Sequence, residues 1–93
     1  MIRIVHLQFQ SERCADFEAF VQPKMAAIAA QPGCRGLRLL KGAPGHYFTV
    51  SDWESEKALN AYRDSALFAE IWPTVKPWFS AKAEAWTTDE IPF

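Results

Sequence analysis

Apolar residues along this chain change their repeat from two to about 3.6 and back again, twice, and that alternation limits the fold more than any single motif. Met1 to Gln10 is rich in β-branched residues. From Val5 onward it alternates, with Val5, Leu7 and Phe9 on one strand face and His6, Gln8 and Gln10 on the other. Ser11 stands where a helix N-cap would. Behind it, Phe17, Phe20, Val21 and Ile28 follow at helical spacing, with Met25 alongside. Pro23 lies inside that pattern and removes a backbone donor, so a bend is expected there. Gln31, Pro32 and Gly33 then end the helix.

The second half repeats the order. Cys34–Lys41 reads as a strand, Gly42 to Gly45 as a tight connection and His46–Trp53 as a third strand, together an antiparallel hairpin. Ser55 is the next expected N-cap, followed by Leu59, Tyr62 and Arg63. Ser65 is expected to cap a further segment carrying Leu67, Phe68, Ile71 and Trp72. Pro73 and Pro77 should bend or interrupt the apolar stretch through Val75, Trp78 and Phe79, and Ala83 to Asp89 is a weaker fourth strand.

The order β-α-β-β-α-β predicts an α+β, ferredoxin-like fold: a four-stranded antiparallel sheet with both helical regions on one face. The opposite sheet face then has no cover from its own chain. On the third strand Phe48 and Val50 alternate with Tyr47, Thr49, Ser51 and Trp53, so neither face is plainly solvent-facing. A second copy is the simplest cover, which predicts a homodimer paired sheet to sheet as a dimeric α/β barrel.

With 93 residues, the chain has room for one domain, residues 1–93, and no second core. A domain this small buries only roughly 60–65% of its unfolded surface, a second reason to expect a dimer. Ten basic against eleven acidic residues give a net charge of −1, which removes the footprint of a general nucleic-acid binder. No apolar run approaches the ~20 residues of a membrane span, and no secretory signal pattern opens the chain. Two cysteines, Cys14 and Cys34, are too few for a secreted disulfide framework, so reduced, largely buried thiols and a cytoplasmic location are expected. The unusual quantity is the aromatic share, 14%, from seven Phe, four Trp and two Tyr. In a small domain such residues build the core first, and an interface or a flat-ligand pocket second.

The stretch Trp53-Glu-Ser-Glu-Lys-Ala-Leu-Asn-Ala-Tyr-Arg-Asp-Ser-Ala-Leu-Phe68 runs from a strand into a helix. It resembles the antibiotic biosynthesis monooxygenase (ABM) family, and Pro32-Gly-Cys-Arg-Gly36 is similar to that family's P-G-x-x-G segment ahead of a strand. The order of elements agrees over essentially the whole chain. The resemblance implies a dimeric α/β barrel and two kinds of activity: cofactor-independent monooxygenation of aromatic phenols and quinols, or heme degradation. The heme-degrading branch carries an iron-ligating His where this chain has Trp72, and a first-strand Asn where it has Val5; only its pocket Trp is matched, by Trp53. An indole N–H offers iron no lone pair, so heme degradation is not expected.

The monooxygenase branch needs no metal or organic cofactor, and none is expected here. Its chemistry calls for an apolar cavity for a flat ring and O₂, with a few donors to hold a phenolate. Trp53, Tyr47, Tyr62, Phe68 and Trp72 are the candidate substrate-binding residues, with the Trp53 N–H or Tyr47 O–H holding a substrate oxygen. Core packing is the competing role for each, and the leading one for Phe68. His6 and His46 are the candidates for a base near neutral pH, set against hydrogen-bonded filler on a polar strand face. Their spacing matches no metal motif. Glu54, Glu56, Asp64 and Glu70 read as the solvated face of the second helical region. The expected function is a small dimeric oxygenase acting on an aromatic or quinol-like molecule. The alternative is a non-catalytic ligand-binding or accessory dimer, and a helix–sheet cavity of several hundred Å³ would favour a small-molecule site over a closed core.

Overall fold

A computed structural model describes all residues, Met1–Phe93. The sheet contains β1 (Ile2–Gln8), β2 (Cys34–Lys41), β3 (His46–Trp53) and β4 (Glu84–Thr88) in the order β2-β3-β1-β4, every pair antiparallel. This is the expected ferredoxin-like arrangement, with β1 central between β3 and β4. Four helices join the strands: α1 (Cys14–Val21) and α2 (Met25–Ala29) between β1 and β2, α3 (Glu56–Arg63) and α4 (Ala66–Val75) between β3 and β4. No helix is long and apolar enough to cross a membrane.

The punctuation of the helices follows from particular residues. Pro23 sits in a 3-10 turn, Gln22–Lys24, that separates α1 from α2, where the bend was expected. Ser55 and Ser65 cap α3 and α4, their hydroxyls accepting from the backbone N–H of Ala58 at 3.1 Å and of Phe68 at 3.2 Å. Ser11 is not a cap. It opens a 3-10 turn, Ser11–Arg13, and its hydroxyl turns to Glu12, while α1 begins at Cys14 with no side-chain cap. Pro73 is accommodated inside α4, and the helical path ends in a 3-10 turn, Lys76–Trp78, that contains Pro77.

Two glycines are required by geometry. Gly33 has φ +83, and a Cβ there would lie 2.5 Å from the Cβ of Ala58; the missing side chain lets the start of β2 lie against α3. Gly45 closes the β2–β3 hairpin at φ +85, and its carbonyl accepts from the Phe9 N–H at 2.8 Å.

Cross-strand register divides the side chains into rows. Leu37–Ser51–Arg3–Thr87, Leu39–Thr49–Val5–Ala85 and Lys41–Tyr47–Leu7 face the helices. Arg38–Val50–Ile4–Trp86 and Leu40–Phe48–His6–Glu84 face away from them. The core gathers on the helix side around Leu7, Phe9, Phe17, Val21, Tyr47 and Val75, with Phe9 and Phe17 stacked at 4.1 Å. Each such aromatic, removed from water, contributes about 1.5–3 kcal/mol. No disulfide forms: Cys14 and Cys34 are free, half-buried thiols.

Candidate functional site

Between the sheet and the helices lies a cavity of about 370 Å³. Its floor is Val5, Leu7, Thr49, Ser51 and Trp53 of the two central strands, and Leu37, Ala83 and Ala85 border it. Phe17, Val21, Met25 and Ile28 form one wall; Leu59, Tyr62, Phe68, Ile71, Trp72 and Val75 form the other. Arg3 and Arg63 complete the lining, and Arg63 and Ala85 at its rim are exposed.

The second wall is a chain of aromatic contacts. Trp53 stacks on Tyr62 with centroids 5.4 Å apart, Tyr62 meets Phe68 edge to face at 5.4 Å, and Phe68 stacks on Trp72 at 5.7 Å. The two serine caps set this wall. Ser55 starts the helix that carries Tyr62, and Ser65 restarts the chain so that Phe68 and Trp72, four residues apart, share one face of α4. Four of the five residues expected at the site, Trp53, Tyr62, Phe68 and Trp72, therefore line one cavity.

Trp53 takes part differently than expected. It is 1% exposed, and its indole N–H donates to the Ser51 hydroxyl at 2.9 Å inside the fold. Its donor is already committed and its ring is covered, stacked on Tyr62, so Trp53 packs behind the cavity wall and presents neither a hydrogen bond nor a free face to a ligand. Tyr62 is the better donor: its hydroxyl makes no hydrogen bond with the protein and is not among the buried unsatisfied groups. Burial pushes its phenol up to about 12, with a smaller contribution from Cys34, so it stays a neutral O–H donor through the physiological range.

Tyr47 is the fifth, and the structure removes it from the site. It lies on the helix face of β3, but under α1, where it is 1% exposed and belongs to the core. Its hydroxyl donates to the Glu18 carboxylate, which also accepts from Lys41 at 3.0 Å. Burial and the Glu18 contact push the Tyr47 phenol up, while the hydrogen bonds from Tyr47 and Lys41 hold the Glu18 carboxyl below its ordinary value. Tyr47 is thus a clamp between β3 and α1.

The two histidines meet each other, away from the cavity. His6 Nε2 and His46 Nδ1 are 2.9 Å apart, one ring N–H donating to the other, and Glu84 Oε1 lies 3.9 Å from His6 Nδ1. His6 also stacks on Phe48 at 4.8 Å. All of these groups sit on the sheet face that turns away from the helices, so neither histidine is placed to act as a base on a cavity ligand.

Donor chemistry decides the cofactor question. No His, Cys, Asp or Glu lines the cavity. Trp72, where the family resemblance set an iron-ligating His against this chain, packs its ring between Phe68 and Phe79. The cavity offers no imidazole, thiolate or carboxylate to ligate a heme or a transition metal. Arg3 and Arg63 line the cavity although neither was a candidate site residue in the sequence; Arg63 was read only as part of the helical spacing after Ser55. A signal existed for one of them: Arg3 falls in phase with Val5 and Leu7, a charge on an otherwise apolar strand face.

Solved structures share this architecture closely. A protein of Nitrosomonas europaea, provisionally assigned as an antibiotic biosynthesis monooxygenase, superposes with a TM-score of 0.91 at 15% identity over 98% of each chain. Rv0793 of Mycobacterium tuberculosis superposes with a TM-score of 0.90 at 16% identity, over 99% of this chain and 95% of that one. A Bordetella bronchiseptica protein, also provisionally assigned to that activity, has 29% identity and a TM-score of 0.85 over 98% and 96%. No curated protein matches the sequence. The sequence profile for antibiotic biosynthesis monooxygenases matches residues 1–72, which takes in β1 through most of α4 and with them nearly all of the cavity lining. The chain belongs to the antibiotic biosynthesis monooxygenase (ABM) family.

Proposed function

We propose that this protein is a cofactor-independent monooxygenase that oxidises an aromatic or quinol-like small molecule in the helix–sheet cavity. The observation that carries the reading is the cavity itself: about 370 Å³, with 16 of its 20 lining residues apolar, where a purely structural aromatic cluster would have packed shut. The family and the provisional names of its structural relatives support monooxygenase-like chemistry in general. In the metal-free version of that chemistry an ionised phenol gives its electrons to O₂. One oxygen atom becomes a new quinone carbonyl on the ring, and the other leaves as water with the two hydrogens the substrate loses. Such a reaction asks the protein to hold a flat ring, stabilise an oxyanion and keep bulk water away. Phe68 and Trp72 offer the flat walls, with Trp53 packed behind Tyr62, and Tyr62 offers a hydroxyl donor.

The working unit we propose is a homodimer. Ile4, Phe48, Val50, Leu40 and Trp86 lie on the sheet face without helices, with Leu40 at 40% and Trp86 at 45% exposure, and a second copy facing them would bury an apolar patch unusual for a free surface. The two free thiols fit a reducing, cytoplasmic setting.

A second reading, a ligand-binding dimer without a reaction, is favoured by one observation: no His, Asp or Glu reaches the cavity to serve as a base. Oxygen-electrode measurements on EDTA-treated protein with a panel of naphthols and hydroquinones separate the two. The oxygenase reading expects one O₂ consumed per quinone formed, with one of its oxygen atoms in the product and no H₂O₂ released. Binding of the same compounds with no O₂ uptake above the protein-free rate establishes the ligand-binding reading instead.

A further inference from the structure

The cavity's charge is as specific as its shape. Arg3 reaches it from the floor, in the first turn of β1 beside Ser51 and Thr87, and Arg63 reaches it from the last turn of α3. Neither guanidinium has a carboxylate within 4.0 Å; the chain's ion pairs involve other residues. Arg3 makes one side-chain hydrogen bond, donating to the Thr87 hydroxyl at 2.9 Å, and leaves most of its five N–H donors without a protein acceptor. Partial burial, and then the nearby charge of Arg63, hold Arg3 below the ordinary guanidinium value, so each cation feels the other. The site of Arg63 near a helix C-terminus suits the helix dipole, but that accounts for one arginine and not for the pair. Two like charges lining one largely apolar cavity, neither paired with a carboxylate of the chain, favour an anion beside them.

We infer that the cavity selects a flat ring carrying an anionic oxygen group, a phenolate or a carboxylate, and that Arg3 and Arg63 together bind that group. The inference rests on the small-molecule reading above and adds the sign of the ligand's charge. The ring lies against the Tyr62–Phe68–Trp72 wall, and its anionic end turns to the arginines, with the free Tyr62 hydroxyl on α3 as a further donor. If the anion is the phenolate of the proposed reaction, the same pair also enriches the form of the substrate that reduces O₂, which answers the absence of a base in the cavity. The protein then selects the ionised substrate instead of making it.

The test compares 2-naphthoate with 2-naphthamide, the same ring with and without charge, by calorimetric titration of the wild type, Arg63→Gln and Arg3→Gln/Arg63→Gln. The wild type should bind the acid about tenfold or more tighter than the amide, the scale of charge-assisted hydrogen bonds. Arg63→Gln, an exposed substitution, should lose part of that ratio and the double variant nearly all of it, with amide affinity unchanged as the sign that the cavity is intact. Equal affinities in the wild type, or a ratio that survives in the double variant, overturn the inference and leave the cavity reading standing. Failure of both compounds to bind overturns both. 2-Naphthol then identifies the source of the charge. A naphtholate absorption band that appears at lower pH on the wild type than in buffer, and not on the double variant, assigns the pair to the reacting oxygen. An unshifted band alongside acid selectivity assigns it to a carboxylate elsewhere on the ring.

Discussion

One sheet presents two faces built from the same alternating strands, and they have been put to different use. On the helix side the rows through Arg3, Val5 and Leu7 meet bulky aromatics that are spaced to border a void. On the other side the rows through Ile4 and His6 mix apolar Val50, Ile4, Trp86, Leu40 and Phe48 with Arg38 and Glu84, and a hydrogen-bonded histidine pair lies toward one end. Residues next to each other in sequence, Val5 and His6 or Val50 and Ser51, therefore belong to opposite faces of the sheet. The contrast teaches that aromatic content alone is not evidence of a site in this chain: Phe48 and Trp86 are as aromatic as Phe68 and Trp72, and of these four only the latter two line the helix–sheet cavity.

The comparison is most forcefully broken at Val50, in the centre of the flat face beside Ile4. Val50→Glu should abolish assembly or leave the protein insoluble, because an unpaired charge buried between sheets costs about 3–5 kcal/mol. Light scattering on the wild type should give about twice the chain mass of 10.6 kDa at micromolar concentration; a mass equal to one chain would rule out the dimer. Next in size is Trp53→Phe, which removes buried ring volume and the Ser51 hydrogen bond and should cost about 1–3 kcal/mol. In a domain of this size that lowers the Tm by about 4–8 °C per kcal/mol. A variant that melts with the wild type would show that the Trp53 contacts are not stabilising.

Tyr62→Phe should behave in the opposite way. No protein hydrogen bond is lost, so stability should stay within about 0.5 kcal/mol. Affinity for a phenol should fall roughly three- to tenfold, the value of one neutral hydrogen bond, in a titration of both proteins. The smallest effect belongs to His46→Ala. This residue faces away from the cavity, and the affinity of a cavity ligand should be unchanged within twofold once equal folding is confirmed by circular dichroism.

Local rules made most of the fold legible, and tertiary placement explains what they missed. Ser55 and Ser65 act as the caps they resemble, because each is followed at once by residues with strong helical spacing. Ser11 carries the same chemistry and fails, since the chain there is tied down by Gln10, whose N–H bonds the carbonyl of Trp78 from the far end of the domain. Tyr47 and Trp53 share a strand face, but alternation gives only the face and not which helix lies above each position. Tyr47 fell beneath Glu18 on α1, and Trp53 beside Tyr62 on α3. His6 and His46 are forty positions apart in sequence, and only the β1–β3 register brings their rings into contact. The arginine pair was out of reach for the same reason, as a strand residue and a helix residue come to line one cavity only through the tertiary fold.

The central claim is that ligands enter the helix-side cavity, and the four tryptophans report on it directly. Trp53 and Trp72 line the cavity, Trp86 lies on the open face, and Trp78 packs against Phe20 and Arg13. In a two-dimensional ¹H–¹⁵N spectrum each contributes one indole N–H signal. Titration with 2-naphthol should shift the Trp53 and Trp72 signals along saturable curves with a common Kd and leave Trp86 in place. Saturable movement of Trp86 with Trp53 and Trp72 unmoved would place the ligand on the open sheet face and contradict the account.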